Sequence, residues 1–193
     1  MVKSTLIRNV NIVNEGKIFK GDLRIQLDKI SLIAPSISLL QNENVVEGNN
    51  KYLIPGLIDD QVHFREPGFT HKGDIYSESR AAVAGGITSF IEMPNTNPQT
   101  TNMENLEKKL DIASKNSVAN YGFMLGGTNS NLDEIKNIDE KKVAGLKLFL
   151  GSSTGNMLIN NKDVIKEIFK TSKLVISVHC EDESIIRKNL NYY

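Results

Sequence analysis

Between Lys3 and about Tyr52, apolar and β-branched residues come in short runs broken by turn formers. Leu6–Val13 alternates apolar and polar in places, and Asp22–Leu27 alternates cleanly, as a half-buried strand does. Lys29–Ala34 is a third short run that stops at Pro35, and Asn14-Glu15-Gly16-Lys17 between the first two reads as a hairpin turn. The pattern predicts a small β-sheet module over residues 1–52.

From Leu53 the rhythm becomes strand, loop, helix. Strands are predicted at Leu57–Phe64, Ile87–Met93, Asn120–Leu125, Val143–Leu150 and Leu174–His179. A helix over Ile75–Ala84 meets Gly85-Gly86, a natural stop. Asn102 can cap a helix running to about Lys115, with Leu106, Leu110 and Ala113 on one face. A short helix is expected near Leu132–Ile135. Lys162–Thr171 is helical with Val164, Ile165 and Ile168 inward, and another helix begins after His179.

Five such steps argue for a parallel sheet, open or closed into a barrel. The polar residues favour the barrel. His63, Asn95, Lys147 and His179 fall at or just beyond the carboxyl ends of separate strands, where βα barrels place their chemistry. An open doubly wound sheet more often carries a glycine-rich phosphate loop after its first strand, and none is present. The fold class expected is α/β: a partial TIM-like barrel of about five of eight βα units over residues 53–193, preceded by the β module.

Composition narrows the function classes. Lysines and arginines number 23 and so do aspartates and glutamates, so the formal charge is zero and nucleic acid is a poor partner. The lone cysteine, Cys180, excludes an internal disulfide and fits a reducing compartment. Met1–Thr5 lacks the apolar core of a signal peptide, and no apolar run reaches the roughly 20 residues of a membrane helix. A cytoplasmic protein with a small-molecule substrate is the expectation, with neither nucleic acid nor membrane as partner. Gly151-Ser152-Ser153-Thr154-Gly155 lacks the spacing and lysine of a phosphate loop.

The densest block of chemistry is Pro55-Gly56-Leu57-Ile58-Asp59-Asp60-Gln61-Val62-His63-Phe64-Arg65-Glu66-Pro67-Gly68. With Gly85-Gly86-Ile87-Thr88 and Met93-Pro94-Asn95-Thr96 downstream, it resembles the dihydroorotase branch of the amidohydrolase superfamily. Ala144-Gly145-Leu146-Lys147-Leu148-Phe149 and Val178-His179-Cys180-Glu181 extend the resemblance over nearly the whole chain, β module included.

Alternate residues of a strand point the same way, so Asp59, Gln61 and His63 share a face. The family pattern there is Asp-x-His-x-His, whose two imidazoles ligate one metal. His63 matches the second imidazole, and Gln61 replaces the first with an amide, a weak zinc ligand. Asp59 ligates weakly or orients His63 from behind. Lys147 lies mid-strand in an apolar run; the resemblance implies that it is carbamylated and bridges two metals, which suits a desolvated amine. His179 matches a ligand of the second metal. Zinc, as one or two ions, is the cofactor implied. Arg65 and Asn95 match the anchors of the substrate carboxylate, and a guanidinium suits that task. His71 and Lys72 are expected to pin their loop, and Glu181 and Asp182 to cap the helix that follows.

The activity implied is reversible hydrolysis of a cyclic amide, N-carbamoyl-L-aspartate to dihydroorotate and back, in pyrimidine synthesis. A metal would activate water and polarise the carbonyl, and an aspartate from a later strand would shuttle the proton. That aspartate and a third metal histidine are expected beyond Tyr193, since such a barrel takes about 250 residues and this chain has 193. The expectation is a piece of a longer chain, inactive and poorly soluble alone. Its associations would be a homodimer when complete and a carbamoyltransferase partner. The alternatives are an allantoinase or hydantoinase relative, and a non-catalytic scaffold for a carbamoyltransferase, which Gln61 favours.

Overall fold

A computed structural model describes residues 3–151, 157–190 and 192. The chain forms two compact units, Met1–Gly56 and Leu57–Tyr193.

The first unit is a five-stranded sheet made of β1 (Ser4–Asn14), β2 (Lys17–Gln26), β3 (Lys29–Ala34), β4 (Asn44–Glu47) and β5 (Tyr52–Leu53). β1 pairs antiparallel with β2, and β2 with β3; β4 and β5 both add to β1 in parallel. The β1–β2 turn has positive φ at Glu15 (48°) and Gly16 (72°), the hand that suits two twisted antiparallel strands. A register shift between Ile7 and Val10 leaves the Asn9 amide outside the ladder, and buried Asp22 accepts it at 3.0 Å. Val10, Ile12 and Leu23 form a small buried core. β4 and β5 were not expected from sequence. Both are short, and β4 is exposed along its length, so neither shows the alternation that marks a longer strand.

The second unit is a curled sheet of five parallel strands, half of a barrel, in the order β10-β9-β8-β7-β6. These are β6 (Leu57–Val62), β7 (Ile87–Glu92), β8 (Asn120–Gly126), β9 (Gly145–Phe149) and β10 (Ile176–His179). Each is followed by a helix: α1 (Ile75–Ala84), α2 (Met103–Asn116), α3 (Leu132–Asn137), α4 (Lys162–Thr171) and α5 (Glu183–Asn189). Strands that pair in sequence order with a helix between each are the βα recurrence carried directly into space.

Local chemistry sets the helix limits. Asp74, Asn102, Asn161 and Asp182 accept amides of the first turns of α1, α2, α4 and α5. α1 ends at Gly85, and Gly86 then takes the left-handed conformation (φ 90°) that lets the chain turn into β7. The core lies between sheet and helices, with Phe90, Phe123, Leu125, Leu146 and Leu148 from the strands meeting Leu106, Ala113 and Ile168 from α2 and α4. A strand has two faces. Since these residues fill the helix side, Lys147 and Phe149 of β9 point to the opposite, inner side.

Candidate active site

The inner side gathers its polar groups from three strands. On β6 the Asp59 carboxylate accepts a hydrogen bond from the Gln61 backbone N–H at 3.1 Å. The Gln61 Oε1 accepts a hydrogen bond from Lys147 Nζ on β9 at 3.3 Å, and the same Nζ lies 3.5 Å from Ser177 Oγ on β10. Lys147 is 2% exposed and its Nζ sits 5.3 Å from the centre of the Phe149 ring. Burial pushes the Lys147 amine below the usual lysine range.

A second cluster lies where β6 and β7 end. His63 Nδ1 and Asn95 Oδ1 are 2.9 Å apart. With the amide oxygen as acceptor, Nδ1 carries the proton and Nε2 keeps its lone pair. Burial lowers the His63 pKa; the hydrogen bond to Asn95 opposes this, and the positive charges of Arg65, Lys147 and Lys109 add to it. Arg65 follows in the left-handed region (φ 70°). Its backbone N–H donates to Glu92 Oε1 at 3.1 Å, and its Nη1 is buried without a hydrogen-bond partner among the described residues. Asn95 is 5% exposed.

The two segments that carry these residues are laced together. Met93 N–H donates to the Val62 carbonyl and Asn97 N–H to the Pro67 carbonyl, each at 3.0 Å. Gly68 (φ 89°) packs so closely on Asn97 that an added Cβ would meet the Asn97 carbonyl oxygen at 2.1 Å.

His179 is placed differently. It ends β10 beside Phe149, and its Nε2 lies 3.3 Å from Glu181 Oε1. Glu181 was expected to cap the following helix; only Asp182 caps it, with its carboxylate on Ser184 and Ile185 N–H, because Glu181 turns back to His179. The structure therefore joins Gln61 to Lys147, and His63 to Asn95, with Arg65 two residues after His63 in the chain. Among the described residues, no three His, Cys, Asp or Glu side chains gather to hold a metal ion. His71 stacks edge-on to Phe69, with ring centres 6.3 Å apart, and Lys72 N–H donates to the Phe69 carbonyl. Of the segment from Gly151 to Gly155, residues 152–155 lie outside the described residues.

Sequence reasoning missed Glu92 and Lys109. Both are fully buried, and they form an ion pair at 2.8 Å between β7 and α2. A signal was present. Lys109 stands at helical spacing between Leu106 and Ala113, on the face already read as inward.

Known proteins resemble this chain in sequence and in fold. The Dihydro-orotase-like family model matches residues 50–189. A dihydroorotase from Methanosarcina mazei is 32% identical over 182 residues, which is 93% of this chain and 40% of that protein. An allantoinase from Desulfitobacterium hafniense is 34% identical over 188 residues, 95% of this chain and 42% of that protein. An L-hydantoinase (dihydropyrimidinase) structure from Arthrobacter aurescens superposes with a TM-score of 0.91 at 26% identity, covering 100% of this chain and 44% of its own. The chain thus spans about two fifths of the length of the curated relatives it matches. No helix among the described residues is long and apolar enough to cross a membrane. A curled parallel sheet within a family match from residue 50 to residue 189, together with relatives 32% and 34% identical over almost all of the chain, makes this chain a member of the dihydro-orotase-like family of cyclic amidohydrolases.

Proposed function

We propose that the chain supplies the carboxylate-anchoring part of a dihydroorotase-type site, acting on dihydroorotate and N-carbamoyl-L-aspartate. The observation that carries this reading is Arg65 Nη1, a buried charged donor with no partner among the described residues, two residues after His63 and its bond to Asn95. A buried guanidinium donor without an acceptor is costly, and a ligand carboxylate satisfies it with a charge-assisted hydrogen bond. Arg65 would bind the carboxylate. Asn95, oriented by His63, would present its amide N–H₂ to the same ligand. Asn95 is buried, and the Arg65 Nη1 atom is closed off from solvent although the rest of that side chain is only partly so.

Zinc belongs to this proposal, tested against the donors present. Zinc favours imidazole, thiolate and carboxylate ligands, and a ligating histidine normally donates its other ring nitrogen to a second group. His63 meets that description, with Nδ1 held by Asn95 and Nε2 open. Lys147, buried and with its pKa lowered, has the character of an amine that carbamylates. Gln61 does not fit: its amide oxygen is a poor ligand and already accepts from Lys147. His63 and a carbamylated Lys147 are the residues that would hold zinc, joined by His179 once its ring leaves Glu181, with Asp59 as a weak contributor. When bound, that ion supplies charge stabilisation at the amide carbonyl and an acidified water.

Calorimetric titration of the chain with N-carbamoyl-L-aspartate, allantoin and hydantoin tests the reading. Binding of the first, weakened about tenfold or more by Arg65→Met, is expected. Preference for the uncharged rings would instead support a role like that of the allantoinase and hydantoinase relatives. Gln61 supports one further reading, a non-catalytic scaffold for a carbamoyltransferase. Zinc content separates it, because a scaffold has no need of the ion.

A further inference from the structure

We propose that the buried Glu92–Lys109 pair is a positioning device that sets the backbone of the two segments bearing Arg65 and Asn95. The reading of Arg65 and Asn95 as carboxylate anchors is the one proposed above; the brace itself stands on separate geometry.

Glu92 is the last residue of β7 and Lys109 lies mid-way along α2, and both side chains are closed off from solvent. Each contacts both its partner and a backbone group: Glu92 with separate oxygens, Lys109 with the same Nζ. Glu92 Oε2 lies 2.8 Å from Lys109 Nζ, while Glu92 Oε1 accepts the Arg65 N–H at 3.1 Å. Lys109 Nζ donates in turn to the Met93 carbonyl at 3.2 Å and lies 5.0 Å from the centre of the Phe123 ring. The pair therefore ties together Arg65, two residues after His63, Met93, two before Asn95, and the helix behind them.

The Arg65 contact shows why a charge is used there. Arg65 is a non-glycine residue at φ 70°, a conformation that L side chains adopt only when neighbours hold it. The Arg65 N–H lies outside the β6 ladder, so the carboxylate replaces the strand partner it lacks. Packing alone would be served as well by apolar side chains, because a buried ion pair is a weak source of stability against an apolar isostere. Two apolar side chains could not accept the Arg65 N–H or donate to the Met93 carbonyl. The pair's particular contribution is thus orientation: it turns the chain at 65 so that the guanidinium and the Asn95 amide are set before a ligand arrives.

The test uses the full chain and three forms: unmodified, Glu92→Gln, and the double variant Glu92→Met with Lys109→Met. Amide hydrogen exchange at Arg65 is read by NMR alongside the affinity for N-carbamoyl-L-aspartate. In the unmodified chain the Arg65 amide is expected to exchange at least about a hundredfold slower than an open loop. Glu92→Gln keeps an acceptor and should retain most of that protection. The double variant should keep its circular dichroism while the Arg65 amide loses protection by about tenfold or more and affinity falls in parallel. An Arg65 amide that exchanges at the open-loop rate in the unmodified chain overturns the brace, and needs no variant to fold. So does a folded double variant whose Arg65 amide stays protected. Protection that behaves as expected in a chain that ignores N-carbamoyl-L-aspartate upholds the brace and removes the carboxylate reading alone.

Discussion

Lys147 Nζ donates a hydrogen bond to Gln61 Oε1 across the inner face of the half-barrel, 86 residues apart in sequence and 3.3 Å apart in space. The amide stands where the family pattern places an imidazole, and it occupies the amine that the pattern assigns to a metal bridge. Gln61→His should therefore change two things at once: it adds a nitrogen ligand beside His63 and frees Lys147 from its acceptor. Zinc retained after dialysis against a weak chelator, read by elemental analysis, should correspond to affinity at least about tenfold higher than in the unmodified chain. Equal retention in both forms would show that residue 61 is not near a metal ligand set.

Lys147→Met probes the same contact from the other end. The amine is buried, its acceptors among the described residues are Gln61 and Ser177 at 3.3 and 3.5 Å, and desolvation already lowers its pKa. Replacing it with an apolar side chain of similar length should leave thermal stability unchanged or raise it, by about 0–2 kcal/mol, while abolishing zinc retention. A large loss of stability in the denaturation curve would mean that the ammonium is a structural anchor.

Gly68→Ala should loosen the loop that follows Arg65. The position has φ 89°, and the new Cβ would fall 2.1 Å from the Asn97 carbonyl oxygen, a backbone atom that cannot step aside without moving its own segment. A destabilisation of about 1–3 kcal/mol in urea is expected, with exchange of the Asn97 amide accelerated before global unfolding. Unchanged exchange at Asn97 would contradict the close approach.

In the first unit, acid should act through Glu43. Arg24 reaches it with Nε at 2.6 Å and Nη2 at 2.9 Å, and the Leu40 amide and the Ser4 hydroxyl donate to it as well. These bonds, that of Arg24 first, lower the Glu43 pKa from 4.5 to about 2. A carboxylate whose folded pKa is depressed stabilises the fold above its unfolded pKa and loses that contribution as pH falls through the folded one. Stability of the Met1–Gly56 unit should thus decline between pH 4.5 and about 2, and Glu43→Gln should flatten that part of the profile. Acid titration followed by NMR of the Leu6 and Leu23 methyls, both buried there, gives the readout.

Much of this architecture was legible before any coordinates. α1 and α4 occupy the predicted Ile75–Ala84 and Lys162–Thr171, because amphipathic spacing and a capping residue or glycine are local signals. The second-unit strands lie within one to two residues of expectation, since apolar β-branched runs flanked by turns carry their own length. β4 and β5 escaped notice because their reason for being strands is β1, a partner distant in sequence. The candidate site divides in the same way. Asp59, Gln61, His63, Arg65 and Asn95 sit in two short segments whose order can be read directly. Glu92 and Lys109 looked like an ordinary strand residue and an ordinary helix residue until the packing of α2 on the sheet removed both from water.

The amino-acid sequence by itself determined the βα recurrence, the β module ahead of it, and the residues of chemical interest at the strand ends, because periodicity, caps and turns act over a few neighbours. Only the tertiary structure decided which of those residues meet: that Lys147 turns to Gln61, that Glu181 turns to His179, and that a carboxylate on β7 holds the amide of Arg65. Such pairings depend on how strands line up side by side and on which groups the core shuts away from solvent, and neither is encoded in any short stretch of chain.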